Sequence, residues 1–175
     1  MLLRVYEWDL VQSGRVYGSI AMLAGSAGVL SGPFVLKYMS KINVNAPHFK
    51  LAIFGISMAS LSLVLLPFQP NVNIALVFVT MASFFVTLPL AGTSSAMVIV
   101  SPNRIRGVIT GIYVVVTSVF GLVLGPFLVA SSTDFIFQDT NAVAKSLALV
   151  SILVGPVGIF FMYKGINSFG EIKNV

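Results

Sequence analysis

Five uncharged apolar runs, separated by short polar segments, organise the chain: Val16–Leu36, Leu51–Phe68, Val72–Ile99, Gly107–Ser131 and Ser146–Tyr163. Each has the 18 or so residues a helix needs to cross a hydrocarbon core of roughly 30 Å. The pattern predicts an all-α integral membrane protein with about five transmembrane helices. Residues 1–15 then form an outer linker, 16–164 the membrane domain and 165–175 a cytoplasmic tail. The third run is long enough to tilt or kink, and Pro89 and Gly92 mark the place. Gln69-Pro70-Asn71 is a tight turn, which makes the second and third spans antiparallel neighbours.

Within this pattern Gly14 to Phe34 and Gly107 to Phe127 repeat each other at a constant offset of 93, with six identities in 21 ungapped positions. Gly14, Gly18, Gly28, Gly32, Pro33 and Phe34 return as Gly107, Gly111, Gly121, Gly125, Pro126 and Phe127. In the first span Gly14, Gly18, Ala21, Gly25, Gly28 and Gly32 step by four and three, so they share one helix face. The fourth span matches with Gly107, Gly111, Ser118, Gly121 and Gly125, interrupted only by Val114. Small residues at this spacing let helix backbones approach closely in lipid, where apolar burial supplies little drive. Each seam therefore calls for a partner helix. The competing explanation is that membrane helices rich in glycine match by chance. Pro33 and Pro126 each remove a backbone donor and predict a bend.

Loop charges give the spans a direction. Lys37, Lys41, Lys50, Arg104, Arg106, Lys164 and Lys173 fall on one side, and Arg4, Arg15 and Lys145 on the other with four of the five acids. The positive-inside rule puts the first set, and the C-terminus, in the cytoplasm. The first and fourth spans then run in opposite directions, which makes the repeat an inverted one of the kind that secondary transporters use for alternating access. Spans three to five form one three-helix unit, and spans one and two form a second that lacks its first helix.

Composition narrows the classes further. With 57% hydrophobic and 9% charged residues and a mean hydropathy of +1.00, too little polar surface remains to coat a soluble globule. The net charge of +5 is scattered over loops without the clustered basic face of a nucleic-acid binder. Zero cysteines exclude thiol chemistry and disulfides. His48 has no second ligand nearby, so neither a metal nor a cofactor is expected. No nucleophile–base pair, phosphate loop or carboxylate pair is present, and an enzyme is the weakest reading. No ionisable side chain lies in the middle of a span, so no coupling site is visible.

Polar stripes remain as candidates for a substrate path. Thr80, Ser83, Thr87 and Ser94 share a face of the third span, and Thr110, Tyr113 and Thr117 lie beside the seam of the fourth. The alternative for each hydroxyl is a bond to the preceding helical turn. Ser57, Ser60 and Ser62, in the second span, have no glycine seam beside them and are assigned to that alternative. Arg106 begins the fourth span either as an orientation anchor or as one half of a gating ion pair. Asp134, at the outer end of that span, reads as a solvated helix-end carboxylate.

The stretch Ser101-Pro102-Asn103-Arg104-Ile105-Arg106-Gly107, followed by Gly111, Tyr113, Gly121, Gly125-Pro126 and Asp134, resembles the tenth-to-eleventh helix region of the major facilitator superfamily. Phe135-Ile136-Phe137 and Ser146-Leu147-Ala148-Leu149 make the chain similar to bacterial spinster-like members. The resemblance implies that the five spans correspond to helices eight to twelve of that fold. It also implies partners for both seams in a missing N-terminal half, a small or amphipathic substrate, and a bacterial inner membrane. Where many members have an Asp-Arg pair after helix eight, this chain has Leu36-Lys37. The competing class is a stand-alone five-helix protein with a structural or partner-regulating role.

Overall fold

A computed structural model describes residues 8–90, 92–93, 102–138 and 142–173, with side chains as far as residue 166. The protein is 88% helical and has no strand among the described residues, as an all-α membrane protein should be. Helix α1 spans Leu10–Lys41, α2 Pro47–Leu65 with a tight 3-10 turn over Leu66–Phe68, and α3 Val72–Thr87. A fourth helical rod comprises α4, Arg106–Ser118, a π-helical wide turn at Val119–Leu124, α5, Gly125–Ser131, and a second wide turn at Ser132–Phe137. Helix α6 spans Val143–Lys173. Among the described residues, four stretches are long and apolar enough to cross a membrane: Leu10–Lys41, Pro47–Phe68, Arg106–Phe137 and Val143–Ile166.

Several boundaries differ from the sequence expectation, each for a local reason. The side chain of Asp9 accepts from the Val11 amide at 3.3 Å and starts α1 there, so residues 10–15 of the expected linker are helical. Asn71 caps α3 in the same way, accepting from Asn73 N at 2.9 Å. The long third run is not one helix. Helix α3 stops at Thr87, Leu88 and Pro89 form a turn, and Leu90, Gly92 and Thr93 are helical again. Sixteen residues of helix rise only about 24 Å, so α3 needs that second piece to cross the core. Residues 94–101 lie outside the described part. At the far end, residues 165–173 of the expected tail continue α6.

The two Gly-Pro-Phe triplets behave differently. Helix α1 runs through Pro33 without interruption. Ahead of Pro126 the chain opens into the wide turn at Val119–Leu124, which moves the preceding carbonyls out of register with the proline ring.

Packing follows the order α6, α2, α3, α1, with α5 and the second wide turn against α6. Small residues make the contacts. A Cβ on Gly28 of α1 would run into Thr87 and lie 2.5 Å from the Phe84 carbonyl oxygen of α3, and one on Gly55 of α2 would lie 2.7 Å from the Phe85 carbonyl oxygen. Helix α3 is thus gripped from both sides. A Cβ on Gly155 of α6 would meet Ser60 Oγ of α2 at 2.6 Å, and one on Gly165 would meet Phe49 at 2.7 Å. Phe85 stacks edge-on against Phe54 and Phe84 at 5.7 and 5.3 Å.

Candidate functional site

The bundle is shut at one end and cleft at the other. At the shut end, where α1 finishes and α2 begins, Leu36, Leu51 and Leu88 are buried under Val35, Met39, Phe84 and Phe85. His48 Nδ1 lies 3.1 Å from the Gly92 carbonyl oxygen. A carbonyl only accepts, so Nδ1 carries the proton. The second residue of α2 is thereby tied to the segment after Pro89, and a Cβ on Gly92 would sit 3.1 Å from Leu36. Lys37, Lys41 and Lys50 surround this end in sequence. His48, read from the sequence only as an unlikely metal ligand, is a tether between elements.

At the opposite end, where α1 starts and α2 finishes, a cleft of about 570 Å3 opens between α1, α2, α3 and the start of α6. Leu10, Leu63, Leu66, Val79, Val86 and Leu147 wall it, with Ser13, Tyr17 and Ser83 as its polar points. Ser13 is only 7% exposed, and its hydroxyl has no hydrogen-bond partner among the described residues. Ser57, Ser62, Ser132 and Ser151 instead donate to carbonyls one turn back, at 2.7 to 2.8 Å. A buried hydroxyl left unpaired costs roughly 1–3 kcal/mol, so Ser13 stands out among these serines. The glycine seam pointed to this face through Gly14 but not to Ser13.

The hydroxyls of the polar stripes divide among bonds within a helix, a helix crossing and the cleft. Thr80 donates to Leu76 O at 2.7 Å, Thr110 to Arg106 O at 2.9 Å and Thr117 to Tyr113 O at 2.8 Å. For these three the intrahelical alternative holds. The Thr87 hydroxyl lies 3.0 Å from Gly25 O on α1, and 3.0 and 3.1 Å from Ser83 O and Phe84 O. Its single proton is shared among these carbonyls at a helix crossing, where Thr87 packs α3 against α1. Of the described residues of the third-span stripe, Ser83 lines the cleft. Ser94 lies outside the described residues. Tyr113 OH reaches Thr93 Oγ1 at 3.3 Å, linking α4 to the segment after Pro89.

The two seams also part company. Gly25, Gly28 and Gly32 are buried, with Gly25 and Gly28 against α3 of the same chain. The expectation that the first seam waits for an outside helix is therefore corrected over its inner half. The Thr87 hydroxyl and the close-packed Phe84 backbone already fill that space. Among the described residues, Gly14 and Gly18 have no atom within 4 Å of a would-be Cβ, and neither have Gly107, Gly111, Gly121 and Gly125. No residue of α4, the first wide turn or α5 is buried. Pro33 and Pro126 are exposed, and Arg106 is half-buried at the start of α4.

Two contact sets escaped the sequence reading. Ala52, Gly55, Ala59 and Ser62 form a small-residue face on α2, all of it buried. Ser62 therefore does lie on a seam, and the spacing of three and four that betrays it is visible once alanine and serine are counted with glycine. At the outer end of the fourth rod, Thr133 Oγ1 lies 2.8 Å from both Val129 O and Ser146 Oγ, and Ser146 is fully buried. Nothing in sequence spacing links residues in separate spans.

No family model, curated protein or solved structure matches the chain.

Proposed function

We propose that the chain is the C-terminal part of a major facilitator carrier of the spinster-like kind, moving small or amphipathic solutes by rocking of two halves. The observation that carries this reading is the fourth rod. Arg106–Phe137 is fully helical, yet a Cβ on Gly107, Gly111, Gly121 or Gly125 would meet nothing within 4 Å among the described residues. A membrane helix that only faces lipid has no use for a full-length small-residue stripe, since such stripes serve close approach of backbones. An opposing half supplies the missing helices. In this reading the Lys37, Lys41 and Lys50 end faces the cytoplasm of a bacterial inner membrane, and Arg106 anchors the start of the fourth span on that side.

The second reading is a stand-alone membrane protein that docks on another protein. It is favoured by the inner half of the first seam, which α3 already covers within the chain. Flux measurements separate the two. Purified chain in liposomes should move no solute, and co-reconstitution with a seven-helix N-terminal segment of a related carrier should restore saturable flux. Failure of restoration with a correctly inserted pair would favour the stand-alone protein. Saturable flux by the chain alone would overturn the fragment reading.

A further inference from the structure

We infer that the fourth rod is a two-position swivel. The wide turn at Val119–Leu124 tightens into ordinary α-helix when the glycine face is covered, and α4 then turns about its axis by about 100°, the angle of one residue at 3.6 per turn. In a continuous α-helix Gly107, Gly111, Gly121 and Gly125 share one face. A π-helical turn takes in one residue more than an α turn, so it carries Gly125 about 100° away from Gly107 and Gly111. The seam is split for as long as the turn stays wide.

The repeat displays both positions. Helix α1 has the same Gly-Pro-Phe triplet, yet it runs through Pro33 without interruption and keeps Gly25, Gly28 and Gly32 in line and buried. A proline ring inside a continuous helix meets the carbonyl four residues back, a cost that other contacts must offset. At Pro33 those contacts come from Thr87 and Phe84 of α3, which cover Gly25 and Gly28. Ahead of Pro126 no described atom covers the glycines, and the turn opens. Covered seam and continuous helix go together, as do bare seam and wide turn.

The rod is built for one half to turn against the other. Helix α5 and the second wide turn pack on α6, and the Thr133 and Ser146 hydroxyls join the two at 2.8 Å. Helix α4 has no buried residue. Tyr113 OH, 3.3 Å from Thr93 Oγ1, latches it in its present position. The covering partner is the opposing half of the proposed carrier, and the inference rests on that reading for the identity of the partner alone.

The test is pulsed-EPR distance measurement on the full chain in nanodiscs. One spin label sits at Phe161→Cys of α6 and the other at Ile112→Cys or Val114→Cys, exposed positions on opposite faces of α4. A swivel moves the two α4 labels in opposite senses by up to about 8 Å, the chord of such a turn on a helix about 5 Å in radius. Rocking of a rigid rod moves them in the same sense. Pro126→Ala combined with Tyr113→Phe removes the proline and the latch and should switch the distances in the chain alone. Deleting Leu122 from that variant should cancel the switch, because an α-helix one residue shorter keeps the register of the wide turn. Unchanged distances in the double variant, changes of the same sense, or a switch that survives the deletion would each overturn the swivel. If the deletion variant fails to insert, the opposite-sense criterion decides alone. Adding the seven-helix N-terminal segment to the labelled chain with Pro126 and Tyr113 intact should produce the switched distances. Distances that stay put while flux is restored overturn the swivel and leave the carrier reading intact, whereas a switch in the chain alone with no flux restored supports the swivel and counts against the carrier.

Discussion

Gly28 and Gly121 occupy equivalent positions of the repeat and opposite environments. A Cβ at Gly28 collides with Thr87 and the Phe84 backbone, whereas one at Gly121 meets nothing within 4 Å. In the chain alone, Gly28→Leu should lower unfolding stability in mild detergent by about 1–3 kcal/mol, the usual penalty for overfilling a packed contact. Gly121→Leu should stay within about 0.5 kcal/mol, as substitutions away from contacts do. Denaturation of the two variants side by side checks this, and equal losses would contradict the packing described. In a complete carrier Gly121→Leu should abolish transport. The repeat marked both glycines as contact candidates, and of the two only Gly28 is a contact among the described residues. Which one is covered depends on where α3 comes to lie, and that information resides in Thr87 and Phe84, far along the chain.

Helix α2 illustrates what an apolar environment does to the usual sequence signals. Its faces differ little in hydrophobicity, since lipid and neighbouring helices are equally apolar solvents for a side chain. They differ in size. Ala52, Gly55, Ala59 and Ser62 are buried, while Phe54, Leu61 and Leu65 are exposed. A leucine at Ser62 should therefore disrupt helix packing by about 1–3 kcal/mol, and Ser57→Leu, on a half-buried flank, should cost clearly less. Thermal denaturation of the two variants distinguishes them, and a larger loss at Ser57 would refute the size-based face. Four of the five expected spans were legible because a run of 18 apolar residues has few alternatives to a membrane helix. Span interiors were less so. The break after Thr87 was anticipated from Pro89, but the wide turn before Pro126 was not, because the same Gly-Pro-Phe triplet sits inside a continuous helix at Pro33.

At the scale of the whole molecule, the shut and cleft ends coincide with the two charge classes of the loops. Lys37, Lys41 and Lys50 accompany the end closed by Leu36, Leu88 and the His48 tether. Trp8 and Asp9 lie at the end where α1 begins and the α2–α3 turn passes, Trp8 sharing a shallow depression with Pro70 and Asn71. An interfacial tryptophan beside a cleft, opposite a lysine-rich end, is a consistent membrane frame. The chain has no native cysteine, so single substitutions report cleanly on it. Ser40→Cys and Asn103→Cys should be shielded from an impermeant thiol reagent in intact cells, while Gln138→Cys is labelled. Ser40 and Gln138 both lie at the C-terminal ends of their rods, at the close of α1 and just past the second wide turn, so they report opposite sides only where the two rods are antiparallel. Labelling of the first two with protection of the third would reverse the orientation and turn the cleft toward the cytoplasm. Labelling of Ser40→Cys and Gln138→Cys together would instead put α1 and the fourth rod in the same direction, which removes the inverted repeat and with it the main sequence argument for alternating access.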